Sequence, residues 1–350
     1  MKCGVIGCGV IAPTHIAGLK NLPDVELTTL CDLIPERVEK LAKEHLVPKT
    51  CLDYREMLAD PEITAVNVCT DHASHARIVC DALNAGKHVI CEKVPGRTPE
   101  DLKMMADTAN AHPELVAAGI FQHRFVPANI ALRELIRQEK FGKLLVVNLN
   151  FCCLRTNEYY NKDAWRGTVA GEGGGVLINQ AIHFLDQLRF LFGEIKQVSA
   201  QCANLTHQGV IETEDTATFN IEFASGLFAT VGATNSAAAR WRSALTITAT
   251  DAQVEFINEK LTFLLHNDEA KEAELRTILV QDHNAQSVVG KAYYGSGHNA
   301  QIADFIDAIK SKRAPQVTLA DAANTAALVH AVYASAATGS WQKVADYLGK

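Results

Sequence analysis

None of the ten cysteines stands in a C-x-x-C pair, and the thirteen histidines fall at no metal-ligand spacing, so no metal is expected. Cys3, Cys31, Cys69 and Cys91 lie within or at the ends of apolar runs. That is how small buried hydrophobes sit in a reducing cytoplasm, not how a disulfide framework is laid out. No stretch approaches the roughly 18 consecutive apolar residues of a membrane span. A basic excess is also missing: 33 Lys and Arg against 40 Asp and Glu leave a net charge of −7, which argues against a nucleic-acid partner. The apolar N-terminus MKCGVIGCGVIAP could mimic a secretory signal. Three glycines break it and no small-residue cleavage site ends it, so it reads as a strand and a turn. Repeats, low-complexity tracts and long charge runs are lacking too. A soluble, cytoplasmic protein is expected.

The 350 residues suffice for about two domains with separate cores. In the first third, short β-branched runs (KCGVI, VELTTLC, AVNVCT, HVICE, LVAAGI) alternate with helical patterns near 13–21, 35–44, 54–59, 72–85 and 99–111. Such alternation predicts a parallel sheet covered on both faces. Gly86 should end one helix, and Thr98 should cap another before Pro99. After residue 124 the pattern changes. A helix over 127–138 precedes the strands KLLVVNLNFCC, QVSAQCANL, TATFNIEF, GLFATVGATN, ALTITAT, QVEFI and KLTFLL, with a hairpin turn at Ala224-Ser225-Gly226. Two helices follow from about 299. The expected fold is therefore α/β. A parallel nucleotide-binding domain over 1–123 precedes an α+β domain over 124–350, whose large, mainly antiparallel sheet leaves a face for homo-oligomer contact. The closing helices are expected to pack back on the first domain.

Gly7-Cys8-Gly9-Val10-Ile11-Ala12 is the G-x-G-x-x-A form of the dinucleotide fingerprint. Gly7 permits the tight turn, Gly9 admits a pyrophosphate to the backbone, Ala12 allows close helix packing, and the helix start offers free N–H groups. Alone the motif is weak. Here it follows a first strand, opens a helix, and is trailed by an acid, Asp32, 23 residues beyond Gly9. That carboxylate suits both ribose hydroxyls and repels a 2′-phosphate, which favours NAD. Arg37, on a solvated helix position, keeps NADP as the second choice. Thr70 to His75 (TDHASH) and Cys91 to Gly96 (CEKVPG) end later strands at the same sheet edge. His72 and His75 there could serve as a helix cap or touch the nicotinamide ribose. Glu92 and Lys93 read equally as a surface ion pair or as a lysine whose pKa burial lowers toward use.

In GGGVLINQAIHFLD, from Gly173 to Asp186, a helical reading sets Asn179, His183 and Asp186 at i, i+4 and i+7 on one face. A structural network and a catalytic face both explain them. GCGVIAPTH, TDHASH, CEKVP, QHRFVP, GGGVLINQAIHFLD and GHNAQIADF in this order resemble the Gfo/Idh/MocA oxidoreductase family, from residue 2 to near Gly339. The resemblance implies a Rossmann dehydrogenase or reductase of sugars, cyclic polyols or nucleotide sugars. Lys93 and His183 would flank the reacting carbinol. His183 would act as base or acid, Lys93 would stabilise the alkoxide, Asn179 would fix the sugar, and Asp186 would orient the imidazole or cap the helix face. The glycine run Gly173 to Gly175 lets the chain come close to the site and enter the helix. Trp165 and Arg166 would reach over the cofactor, although packing explains Trp165 as well. Arg124, His298 and Tyr294 would lie by the substrate pocket, Arg124 and His298 equally as structural donors. Two departures stand out. The family motif E-K-P reads Glu92-Lys93-Val94-Pro95 here, and a position often occupied by Asp is Asn179, which cannot take up a proton. The resemblance leaves two alternatives to a dehydrogenase: an NAD-dependent glycoside hydrolase, and a non-catalytic nucleotide sensor, which retention of Lys93 and His183 disfavours.

Overall fold

A computed structural model describes residues 1–280 and 297–349. Its residues divide into two compact units, one of 1–122 with 297–326 and 349, the other of 123–280 with 327–348.

The first unit is built on six parallel strands: β1 (Lys2–Ile6), β2 (Glu26–Cys31), β3 (Lys49–Cys51), β4 (Ile63–Val68), β5 (His88–Cys91) and β6 (Ala117–Gly119). Their order is β3-β2-β1-β4-β5-β6. Between them run α1 (Ala12–Lys20), α2 (Pro35–His45), α3 (Tyr54–Ala59), α4 (His72–Asn84) and α5 (Pro99–Ala111). The strand order reverses between β1 and β4, which opens a crevice at their carboxyl ends. Val5, Val66, Val68, Val89 and Ile90 are fully buried, as a sheet covered on both faces requires. Helix punctuation follows the residues: Thr98 Oγ1 accepts from the Asp101 N–H at 3.2 Å, and Gly86 turns the chain at φ +74°. The short strand β3, with exposed Lys49 and Thr50, carries no apolar run and is not foreseen by the pattern. The helix α10 (Gly297–Ser311) belongs to this unit. A Cβ on Gly18 would lie 2.6 Å from Ile302 Cδ1, so α1 and α10 touch at a small residue.

The second unit carries α6 (Pro127–Arg137), β7 (Leu144–Leu154), α7 (Asn157–Asn161) and α8 (Ile182–Phe192). Then come β8 (Ile195–Ala203), β9 (Thr216–Phe223), β10 (Phe228–Thr234), β11 (Ser236–Ala249), β12 (Ala252–Ile257), β13 (Lys260–His266) and α9 (Glu269–Val280). The last long helix, α11 (Leu319–Thr338), begins among first-unit residues, and the edge strand β14 (Gln342–Lys343) closes the set. The sheet order is β13-β12-β11-β7-β10-β9-β8-β14, antiparallel throughout except for the β7–β10 pair. Burial alternates along β9: Ala217, Phe219, Ile221 and Phe223 face the core, and Thr218 and Asn220 face solvent. The hairpin closes as its residues demand, with Gly226 at φ +83°. The helix read over 173–186 is in fact a π turn, Leu177–Ala181, running into α8.

Candidate functional site

At the crevice of the first unit, Gly7 takes φ +95°, and a Cβ there would lie 2.6 Å from the Cys69 carbonyl. Only glycine meets both demands. A Cβ on Gly9 would point into open space, the cradle that a pyrophosphate approaching the backbone needs. Val10 is half exposed beside it. At Ile11 no side chain caps α1, whose first residue, Ala12, is fully buried. The helix therefore directs the positive end of its dipole at this turn. Asp32 stands at the end of β2, with Oδ2 accepting from the Cys8 N–H at 2.7 Å and Oδ1 from the Ile34 N–H at 2.9 Å. The acid thus braces the glycine turn. Arg37 is exposed on α2. These features fit a dinucleotide.

The end of β5 is held from beneath. Asn67 Nδ2 lies 2.9 Å from His15 Nδ1, so that nitrogen accepts and the ring proton sits on Nε2. His15 Nε2 then donates to Glu92 Oε1 at 3.0 Å, with His298 Nε2 3.6 Å from the same oxygen. Burial alone would raise the Glu92 carboxyl, but the hydrogen bonds from the two histidines hold it well below the usual carboxylate range. Glu92 Oε2 accepts the N–H of Lys93, which is half-buried. His75 is fully buried between two carbonyls, with Nδ1 2.8 Å from that of Val94 and Nε2 3.1 Å from that of Thr70, and as a neutral ring it donates to one of them at a time. Burial lowers its pKa. His72 is buried at the first position of α4.

In the second unit the three polar residues of the helix face lead into separate networks. Asn179, inside the π turn, donates through Nδ2 to the carboxylate of Glu172, a residue 1 % exposed, and to Tyr159 Oη at 3.4 Å. Glu172 also accepts from the Gly167 N–H. Arg166 reaches Tyr159 Oη at 2.5 Å and Asp163 at 2.9 Å, and its guanidinium lies 4.6 Å from the Trp165 ring centre. His183 stacks on His123 with ring centres 5.4 Å apart and planes 17° from parallel. Asp186, fully buried, accepts a two-pronged bond from Arg124 at 2.7 and 2.6 Å, and Arg189 lies 3.6 Å away. Arg124 is thus a buried donor to Asp186. The glycine run has its own reason: a Cβ on Gly174 would strike the Tyr333 hydroxyl, and one on Gly175 the Glu214 carbonyl. The Glu214 carboxylate accepts the N–H groups of Gly175 and Leu177 at 2.9 Å and the Tyr333 hydroxyl at 3.0 Å. Burial outweighs these donors and pushes its pKa up to about 7.

Gly7, Gly9, Val10, Ile11, Ala12, Asp32, Thr70, His75, Glu92, Lys93 and His298 all belong to the first unit, and Arg124, Trp165, Arg166, Asn179, His183 and Asp186 to the second. Tyr294 lies outside the described residues. No cluster of metal-binding side chains occurs among the described residues. His15, Asn67, His123, Glu172, Glu214 and Glu259 are additions that sequence reasoning missed. Glu172 stood in plain view, an acid directly before the glycine run. His15 sits three residues beyond the last fingerprint position. Glu259 carries no such local mark.

Two family models match the chain. One, described as the NAD-binding Rossmann fold of an oxidoreductase family named for GFO, IDH and MocA, covers residues 1–120; the other, its C-terminal alpha/beta domain, covers residues 133–344. Levoglucosan dehydrogenase of Pseudarthrobacter phenanthrenivorans is 24% identical, with 98% of each chain aligned. An uncharacterized oxidoreductase of Bacillus subtilis, YrbE, is 26% identical over 65% of this chain, and the aligned stretch spans 65% of that relative's length. Among solved structures, the WlbA dehydrogenase of Bordetella pertussis, in complex with NADH and UDP-GlcNAcA, superposes with a TM-score of 0.86 at 24% identity, covering 98% of this chain and 97% of that one. At this identity the likeness is one of fold.

Proposed function

The chain belongs to the Gfo/Idh/MocA family of oxidoreductases, and on that footing we propose that it is an NAD-dependent dehydrogenase of a secondary alcohol on a sugar, cyclic polyol or nucleotide sugar. The observation that carries the cofactor half is the brace from Asp32 to the Cys8 N–H, beside a glycine whose missing Cβ leaves room for a pyrophosphate. Substrate class rests on relatives, one a levoglucosan dehydrogenase and another a dehydrogenase bound to UDP-GlcNAcA. NAD held at this turn supplies the acceptor or donor of the hydride. His183 takes the hydroxyl proton during oxidation and returns it during reduction. Lys93, its backbone fixed by Glu92, stabilises the developing alkoxide. Asn179 gives its nitrogen to Glu172, so Oδ1 is the end that accepts from a sugar hydroxyl. Glu172 thereby orients an amide at the position where the family often carries Asp. Asp186, committed to Arg124, anchors the helix carrying His183. Trp165 and Arg166 contribute to the cofactor side, and His298 supports Lys93 through Glu92.

The protein is further read as a cytoplasmic homo-oligomer. All ten cysteines are free thiols, which suits a reducing compartment. Leu154, Phe228, Phe263 and Leu265 stand exposed on the solvent face of the large sheet, a surface suited to a second copy. No described helix is long and apolar enough to cross a membrane.

The test is a panel of pyranoses, inositols and nucleotide sugars followed by nicotinamide absorbance. With the best substrate, Lys93→Ala and His183→Ala should each slow turnover at least about a hundredfold while NAD affinity is kept. Near-normal turnover in both variants would remove the mechanism. Cleavage of an aryl glycoside without net NADH would favour hydrolysis instead.

A further inference from the structure

The two-residue loop Asn258-Glu259, joining β12 to β13, holds both residues in the left-handed region, at φ +50° and +63°. A turn of this kind favours glycine at its second position, and a glutamate there is a strained choice. Asn258 has a local use, accepting through Oδ1 from the Ser243 N–H at 2.9 Å. Glu259 sends its side chain inward instead. Its Oε1 lies 2.9 Å from His123 Nδ1 and accepts from Asn129 Nδ2 at 2.6 Å. The His123–Glu259 contact is an ion pair whose N–H points off the line joining the two atoms. Asn129 also donates to the His123 carbonyl at 2.8 Å, and Gln187 on α8 donates to Asn129 Oδ1 at 2.7 Å. Phe184 closes the edge of the His123 ring at 5.0 Å. The brace thus draws on the 3-10 turn Gln122–Phe125, α6, α8 and the hairpin tip.

The outcome is a buried histidine held rigid beside a carboxylate, with its flat face against His183. Of the other charges on these elements, Asp186 on α8 is taken by Arg124 from the 3-10 turn, with Arg189 at 3.6 Å. On α6, Glu134 pairs with Arg137 and the Arg133 guanidinium lies 4.5 Å from the Phe190 ring centre, so the remainder is positive. Burial works against protonation of His123, yet Glu259 and, more weakly, Asp186 raise its pKa above the ordinary value. Two stacked imidazoles are comfortable with one proton charge between them and repel with two.

We propose that His123 is a positioning residue for His183: the Glu259–His123 ion pair lays a positive ring flat on the His183 imidazole and biases it toward the neutral form that can take a proton. The inference rests on His183 being the proton carrier proposed above. It gives the unusual glutamate in the turn a purpose, since a glycine there would relieve the backbone and lose the charge.

The experiment uses the full-length protein with histidine labelled for NMR, the His183 signal being assigned by its loss in His183→Gln. The His183 titration and the pH profile of kcat/KM for oxidation are then compared in wild type, Glu259→Gln, His123→Phe and the double variant. His123→Phe keeps an aromatic face against His183 without charge, and the double variant guards against a buried, unpaired Glu259. In all three variants His183 should titrate about one pH unit or more higher, and the acidic limb of the rate profile should move up with it. The double variant should add little to either single change. A His183 titration unchanged in the three variants overturns the inference. If it moves while the acidic limb stays, His183 does not carry the proton, and the reading beneath the inference falls first.

Discussion

Asp32 illustrates how one side chain can serve both fold and ligand. Its two oxygens take the N–H groups of Cys8 and Ile34, so it shapes the glycine turn and also places negative charge where ribose hydroxyls would sit. Asp32→Ser should therefore do two things together: relax the preference for NAD over NADP and weaken binding of both by loosening the turn. Titration of each cofactor by nicotinamide fluorescence checks this, and a wild-type protein that already favours NADP would contradict it. The fingerprint was readable because its demands are local: φ +95° at Gly7, no Cβ at Gly9, a small residue at Ala12. The support of Lys93 was not. His15 and Glu92 are 77 positions apart and meet only when the parallel sheet has formed, and no spacing rule links them to His298. Arg124 shows the same limit. The resemblance placed it by the substrate pocket or, equally, as a structural donor, and only the fold reveals the buried Asp186 that it holds.

Apart from the short exposed strand β3, helices and strands over 1–138 could be drawn from periodicity because they are amphipathic or buried along their length, and caps such as Thr98 mark the ends. The entry to α8 was misread as a regular helix. A π turn differs from an α turn in how the backbone closes, and Leu177–Ala181 has no composition that announces it. Tertiary partners impose it: Glu214 takes two N–H groups at the entry and Glu172 takes the Asn179 amide. Glu214 makes this element sensitive to pH. Its folded-state value of about 7 stands above the usual 4.5, so the native state favours the protonated carboxyl. The resulting stability is complete below pH about 4.5 and is lost as pH rises through about 7, a swing of roughly 3 kcal/mol at most. Melting curves from about pH 4 to 9 should show wild type losing stability relative to Glu214→Gln between about pH 4.5 and 7, with no further loss above that; parallel curves throughout would refute it. Gly175→Ala should be strongly destabilising at every pH, by about 2 kcal/mol or more, since its methyl group meets the Glu214 carbonyl rather than a flexible side chain.

For the whole chain, the division into a parallel and a largely antiparallel sheet was visible from the change in strand spacing after residue 124. The membership of α10 in the first unit was suggested only by its place at the end of the sequence; the close approach of Gly18 to Ile302 explains it. The parallel pairing of β7 with β10 was hidden, because the five elements between them (α7, the π turn, α8, β8 and β9) give no register signal for it. If the open face of the large sheet joins copies, Phe228→Asp with Leu265→Asp should convert the protein to monomers in sedimentation velocity, with the wild type sedimenting as a larger species. A monomeric wild type would dismiss that surface. The redox role itself is tested most directly with a substrate sugar deuterated at the carbon bearing the reacting hydroxyl. The account requires the deuterium to appear on the nicotinamide ring, one per molecule of keto product, and to vanish from the cofactor in His183→Ala and Lys93→Ala. Product formed with the label retained on the sugar or released to water, in wild type, would contradict it.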